Sequence, residues 1–183
     1  ILDLSKIESA KMDLDYADIA VNDVVKELKD LFEPVAKDKN IALQVSVDAS
    51  ADRVIETDRL RIEQILRNLI SNALKFTKKG SVSLNVHAKD GTISFAVKDT
   101  GIGIPKDKQQ SIFEAFQQAD GSTRRKYGGT GLGLSISREL AKLLGGEINL
   151  ESEEGQGSTF TLTVPVVKGE LILITKPQMP IAV

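Results

Sequence analysis

Three groups of residues in this sequence have the types and spacing for chemistry, and none of them uses sulfur or a histidine cluster. The chain has no cysteine and a single histidine, His87, so thiolate and poly-histidine metal sites are excluded and any metal must be a hard cation held by oxygen. The first group lies in DRLRIEQILRNLISNALKF, beginning at Asp58. A helical rotation of about 100° per residue puts Gln64, Asn68, Asn72 and Lys75 in one narrow stripe, beside an apolar arc of Ile62, Ile65, Leu66, Leu69, Ile70 and Ala73. Two readings are open. The stripe is a hydrated row of amides ending in a solvent-facing lysine, or it offers a neutral oxygen ligand for magnesium with a lysine one turn on for phosphate. Asparagine is a poor helix former, so two inside a strong helix carry an intrinsic cost that the second reading would offset.

The second group starts where the alternation Ile93, Phe95, Val97 reaches Asp99, which period two places on the same inward face. A carboxylate there must find donors. It either caps the turn into Gly101, as aspartate before Thr-Gly commonly does, or it is an acceptor at a pocket floor for the exocyclic amine of adenine. In the latter case Gly101 and Gly103 let the backbone approach the base. The third group is YGGTGLGLSISREL, four glycines leading into a helix. Inward-turned amides and a helix N-terminus favour phosphate. A P-loop needs lysine after its last glycine, but Leu134 follows Gly133, and the spacing of Gly129, Gly131 and Gly133 does not complete a dinucleotide fingerprint. Plain capping remains open, although Arg124, Arg125 and Lys126 just upstream concentrate positive charge that calls for an anion.

The elements that must position these residues follow from periodicity. Ile1, Leu4 and Ile7 read as the end of a helix, and a helical stripe covers Ala17 to Asp38, with Pro34 expected to loosen its last turns. Ile41 to Val47 alternates as a strand. Thr57 and Asp58 can cap the helix that carries the amide stripe, with Gly80 closing it. Val82, Leu84 and Val86 predict a strand, Asp90-Gly91 a hairpin turn, and Ile93 to Val97 the return strand. A short helical piece around SIFEAF and the polar, basic loop from Gln117 to Thr130 come next. Leu132 to Leu144 is helical and stopped by Gly145-Gly146, and EINLES and STFTLTVPV are strands about the turn EEGQG. The order predicts an α/β sandwich, a mixed and mostly antiparallel sheet covered on one face by helices.

Lys and Arg number 24 against 26 acidic residues, for a formal charge of −2 without lopsided runs, which argues against nucleic acid or anionic membrane as the main partner. No apolar stretch approaches the roughly 20 residues of a membrane-spanning helix, and ILDLSKIESAKMDLD lacks the layout of a signal peptide, so the segment is expected to be soluble.

Together, in this order and on these elements, the three groups resemble the GHKL ATP-binding fold and, within it, the sensor histidine kinases, over nearly the whole chain. QILRNLISNALKFT looks like the family's N-box, VKDTGIGIP its first glycine box, IFEAFQQAD its F-box and YGGTGLGLSIS its second glycine box. GQGSTFTLTVP is similar to the closing strand, and ILDLSKIESAKM to the tail of the second dimerisation helix. The resemblance implies that ATP and Mg²⁺ are bound. Asn72 would ligate the metal, Lys75 would contact phosphate, and Asp99 would bind the adenine amine with Thr159 in support. Gly101 and Gly103 would flank the base. Phe113 and Phe116 would anchor a lid from which Arg125 and Lys126 reach the phosphates. Tyr127, Gly129, Thr130, Gly131 and Leu132 would complete the nucleotide cradle. Arg124 departs from the small hydroxyl residue frequent in such lids.

Hydrolytic relatives such as gyrase and the mismatch-repair ATPases carry glutamate where this chain has Asn68, and an amide cannot serve as that general base, so phosphoryl transfer by Asn68, Asn72 and Lys75 is favoured over hydrolysis. ATP as a mere structural ligand and a kinase acting on serine are competing readings. The filled motifs weigh against the first and ILDLSKIES against the second. His87 is followed by neither Glu nor Asp and reads as a surface residue. The phosphoaccepting histidine would therefore sit on a separate dimerisation domain, with a response regulator as indirect partner. The implied organisation is 1–15 as helix end and linker, 16–167 as the catalytic domain and 168–183 as a tail or the start of another module. The piece is expected to be a cytoplasmic monomer.

Overall fold

Apolar alternation in the strands and apolar stripes on the helices set the layers. The computed structural model describes residues 13–114 and 133–167. In chain order the elements are β1 (Ala17–Ala20), α1 (Val21–Asp38), β2 (Ile41–Val47), β3 (Val54–Thr57), α2 (Arg59–Phe76), β4 (Gly80–Lys89), β5 (Thr92–Asp99), α3 (Gly133–Leu143), β6 (Glu147–Glu153) and β7 (Gly157–Pro165). Five strands form one sheet in the order β2-β4-β5-β7-β6, with β2 and β4 parallel and every other neighbour antiparallel. Parallel neighbours cannot be joined by a hairpin. The chain between β2 and β4 therefore carries β3 and α2, and this crossover lays α2 against β4, β5 and β7.

Val82, Leu84 and Val86 of β4, Ile93, Phe95 and Val97 of β5 and Phe160, Leu162 and Val164 of β7 are all buried and share a core with Ile62, Ile65, Leu66 and Leu69 of α2. Each such side chain contributes about 1.5–3 kcal/mol relative to exposure. The alternate residues Asn85, His87 and Lys98 are exposed, so the helices cover one face of the sheet and leave the other to water. The β4–β5 hairpin turns through Asp90 (φ 53°) and Gly91 (φ 79°), two left-handed residues in succession, the geometry that matches strand twist.

Three features differ from the sequence expectation. Ala17–Ala20 is a strand rather than the first turn of α1, because it pairs antiparallel with β3, which alternation alone did not reveal. The helix starts only at Val21, after an extended Ala20 that offers no capping side chain. The other end of α1 is where the stripe placed it, at Asp38, with Pro34 inside the helix. α2 ends at Phe76 and not near Gly80, since Thr77 is extended and fully buried and Gly80 already opens β4. Of the helical piece around SIFEAF, Ser111–Phe113 is a single 3₁₀ turn.

Asp58 ties the start of α2 to the incoming chain. Its Oδ1 accepts the Arg61 N–H at 3.2 Å, and its Oδ2 accepts the Asp15 N–H at 2.8 Å. The carboxylate is buried. Asp58→Ala is expected to lower stability by about 1–2 kcal/mol, the usual loss for a helix cap. Asp58→Asn, which keeps the Arg61 bond, should lose less. Urea unfolding of the two variants checks this, with an unchanged slope against denaturant and a lower midpoint as the expected pattern.

Candidate functional site

The amide stripe of α2 is divided by its surroundings. Gln64 is occupied near the helix start, where its Oε1 accepts from Arg61 Nη1 at 2.9 Å. Asn68 reaches across to α3, its Nδ2 donating to Ser137 Oγ at 3.0 Å. The side chains of Asn72, half-buried one turn further on, and of the exposed Lys75 have no hydrogen bond or ion pair to any described residue. The stripe is thus anchored at Gln64 and Asn68 and open at Asn72 and Lys75, where the sequence pattern expected metal and phosphate.

Asp99 ends β5 on the core face and is only 6% exposed. Its Oδ1 accepts two backbone N–H groups, from Gly101 at 2.8 Å and Ser158 at 3.3 Å. Burial raises the carboxyl pKa above the ordinary 3.8, and the two N–H bonds pull in the opposite direction. Among the described residues no hydrogen bond reaches Oδ2. The turn-capping role and the acceptor role are therefore compatible: one oxygen holds the turn and the other remains for a donor.

That turn is pressed from both sides by protein backbone. A Cβ on Gly101 would lie 2.3 Å from Phe76 O, at the end of α2, and one on Gly103 would lie 2.1 Å from Glu153 O. Gly103 also has φ +69°. The Ile102 N–H donates to Phe76 O at 3.3 Å, and the Gly155 N–H donates to Ile102 O at 2.7 Å. Both glycines thus have a packing reason of their own. Because Phe76 follows Asn72 by one helical turn, the same contact brings the open part of the α2 stripe to the Asp99 end of β5.

Thr159 does not support Asp99. In the register Asp99 faces Ser158, while Thr159 is paired with Lys98 and Glu151. Successive strand residues point to opposite faces, so Thr159 lies on the face away from the helices. Ser158 holds the carboxylate through its N–H. Its buried hydroxyl is 2.7 Å from that of Ser152, which in turn accepts the Ile104 N–H at 2.8 Å. Sequence alone could have found Ser158 only with the β5–β7 register in hand.

Phe113 packs edge-on against Phe160, with ring centroids 6.0 Å apart, and the Arg138 guanidinium of α3 lies 5.7 Å from the Phe113 ring centre. This fixes the start of the expected lid to the sheet and to α3. Phe116, Arg124, Arg125, Lys126, Tyr127, Gly129, Thr130, Gly131 and Leu132 lie outside the described residues. His87 is exposed on β4 and faces away from the cleft. It is close enough to Asp48 to help hold that carboxyl below its ordinary pKa, after the hydroxyl and N–H of Ser50. No helix among the described residues is long and apolar enough to cross a membrane.

Residues 57–168 match the family model described as histidine kinase-, DNA gyrase B-, and HSP90-like ATPase. The chain is 41% identical over 176 residues to the autoinducer 2 sensor kinase/phosphatase LuxQ of Vibrio vulnificus, an alignment covering 93% of this chain and 20% of that protein. It is 42% identical over 168 residues to the circadian input-output histidine kinase CikA of Synechococcus elongatus, covering 90% and 22%. Among solved structures, full-length ShkA in complex with AMPPNP superposes with a TM-score of 0.82 at 34% identity, covering 92% of this chain and 35% of that one. The catalytic domain of histidine kinase ThkA gives 0.74 at 29%, covering 84% and 97%. The chain thus spans about a fifth of the length of these curated relatives. With a family model that matches more than half of the chain, from the start of α2 through β7, the chain belongs to the histidine kinase-, DNA gyrase B-, and HSP90-like ATPase family.

Proposed function

We propose that this chain is the ATP-binding catalytic domain of a sensor histidine kinase, which transfers the γ-phosphoryl group of Mg²⁺-ATP to a histidine on a dimerisation domain. The observation that carries the proposal is the juxtaposition of a buried carboxylate that keeps one oxygen unbonded with a helix whose Asn72 and Lys75 have no partner among the described residues. Supporting it are the relatives named as sensor and histidine kinases and the AMPPNP complex of the ShkA structure.

In this reading Asp99 Oδ2 accepts the exocyclic amine of adenine, with Ser158 and Gly101 fixing the carboxylate from behind. Asn72 suits a magnesium ion, because its carbonyl is a neutral hard oxygen and is not consumed by the fold. The ion when bound would neutralise phosphate charge. Lys75 adds positive charge one turn on, and Asn68 lines the phosphate end of the cleft beside α3. Arg125, Lys126, Tyr127 and the glycine box Gly129, Thr130, Gly131, Leu132 complete the cradle by sequence pattern. No carboxylate stands at Asn68 to activate water, so these groups position and neutralise rather than hydrolyse. Exposed on the far face of the sheet, His87 cannot meet a phosphoryl group bound on the helix side. The acceptor histidine is then on another segment or chain, and a response regulator receives the group from there.

Asp99→Asn keeps an oxygen for the Gly101 and Ser158 N–H groups but turns an NH₂ toward the adenine amine. ATP affinity should fall by about 1.5–3 kcal/mol, the cost of a lost charge-assisted bond, as calorimetry would measure. The same variant should gain stability without nucleotide. A folded-state pKa above 3.8 means that Asp99 stabilises the fold when protonated, below pH 3.8, and that this contribution is lost as pH rises through the raised pKa. The amide escapes that loss, so thermal melts should place the variant above the wild type at neutral pH and level with it in acid.

Asn72→Ala should remove most of the gain in ATP affinity that Mg²⁺ confers. Calorimetry with and without the metal tests this, and equal magnesium dependence in both proteins would sink the role of Asn72. For the reaction itself, γ-labelled ATP should leave no acid-labile label on the chain alone, and His87→Gln should change nothing. Label should appear on a dimerisation domain bearing a histidine when the two are mixed. Label on the isolated chain that vanishes in His87→Gln would overturn the proposal.

A further inference from the structure

Asn68 is held by more than the helix it belongs to. Ser137 lies one turn into α3, on the same side as Gly133, and is 2% exposed. Its hydroxyl takes the Asn68 Nδ2–H at 3.0 Å across 69 residues of sequence. The first residue of α3 is shut down on the same amide, since a Cβ on Gly133 would lie 2.5 Å from Asn68 Oδ1 and 3.1 Å from both Cγ and Nδ2. A carboxamide has one edge that accepts and one that donates. With one N–H given to Ser137 and the first turn of α3 closing on the amide, Asn68 turns its carbonyl to the start of α3.

We propose that Ser137 is a positioning residue that fixes Asn68 with its acceptor edge toward the phosphate end of the cleft, an inference that rests on the kinase reading given above. An acceptor edge repels a phosphate oxygen and welcomes a proton-bearing group, so in this orientation the Asn68 carbonyl orders water beside the phosphates. Asn72, with no described partner, is free to turn toward a ligand. Asn68 is not. The spacing of four between Gly133 and Ser137 is what lets one short helix both wall in the amide and occupy its donor.

The orientation predicts a split between binding and turnover. Adenine recognition is remote from Asn68, so Ser137→Ala should leave the KM for ATP within about twofold while lowering kcat for transfer to a histidine-bearing dimerisation domain by about tenfold, as expected when a positioned group is released. Ser137→Thr, which keeps the hydroxyl, should recover most of the rate. The side-chain amide signal of Asn68 in ¹⁵N-resolved NMR of the nucleotide-free chain, assigned by its loss in Asn68→Ser, should shift in Ser137→Ala and return toward wild type in Ser137→Thr. An unmoved Asn68 signal in Ser137→Ala would overturn the proposal, as would a rise in KM with kcat unchanged. If the wild-type chain transferred no phosphate at all, the kinase reading would fall, and the NMR signal would still decide whether Ser137 orients Asn68.

Discussion

The structure depends on giving donors to a carboxylate that the strand pattern forces inward. β5 carries Ile93, Phe95 and Val97 into the core, and the same alternation delivers Asp99 there. Leaving that charge without partners would cost more than any one apolar neighbour returns. Two N–H groups reach it, one from the turn at Gly101 and one from Ser158 on the next strand. The turn must then tighten until only a hydrogen atom fits between Gly101 and the end of α2, and β7 must pair so that Ser158, and not its neighbour, faces Asp99. A slip of one residue would turn every apolar side chain of β7 away from the core as well. The burial of β7 and the satisfaction of Asp99 therefore select the same register.

α2 is the element that converts this constraint into a cleft. Its apolar arc is buried against the sheet and its C-terminal carbonyl is fixed against Gly101. Its middle is fixed by Asn68 against α3. Asn72 lies between these two fixed points, so its position is determined by the helix while its side chain is not consumed by the fold. This is the economy expected of a binding site on a rigid element: neighbours do the structural work and leave one group uncommitted. The contact of Phe113 with Phe160 and Arg138 ties the beginning of the glycine-rich segment to the same frame.

In the proposed reading, stability and binding oppose each other at Asp99. Burial raises its pKa, so the ionised form that suits an amine donor is the form the empty fold tolerates least. A ligand that supplied a donor to Oδ2 would relieve that cost.

Much of this was written in the order of residues. The alternations of β2, β4, β5 and β7, the hairpin at Asp90-Gly91, the Asp58 cap and the arc of α2 rest on local periodicity and local backbone preference, which a sequence displays directly. So does the inward direction of Asp99, since it needs only a count by two from Val97. What needed tertiary structure was everything set by pairing between distant segments. Ala17–Ala20 extends a helical stripe in sequence, yet it is a strand because β3 stands beside it. α2 stops at Phe76 because Thr77 is drawn into the core, while the glycine that looked like its stop opens the next strand. Thr159 and Ser158 are indistinguishable by type, and only the register across 59 residues separates them. The tie between Asn68 and Ser137 spans 69 residues and has no periodic signature at all. Sequence by itself determined which side chains face inward along each element, because that depends on two fixed backbone periods. The tertiary structure decided which of those side chains meet, because meeting depends on loop paths and strand order that no local period encodes.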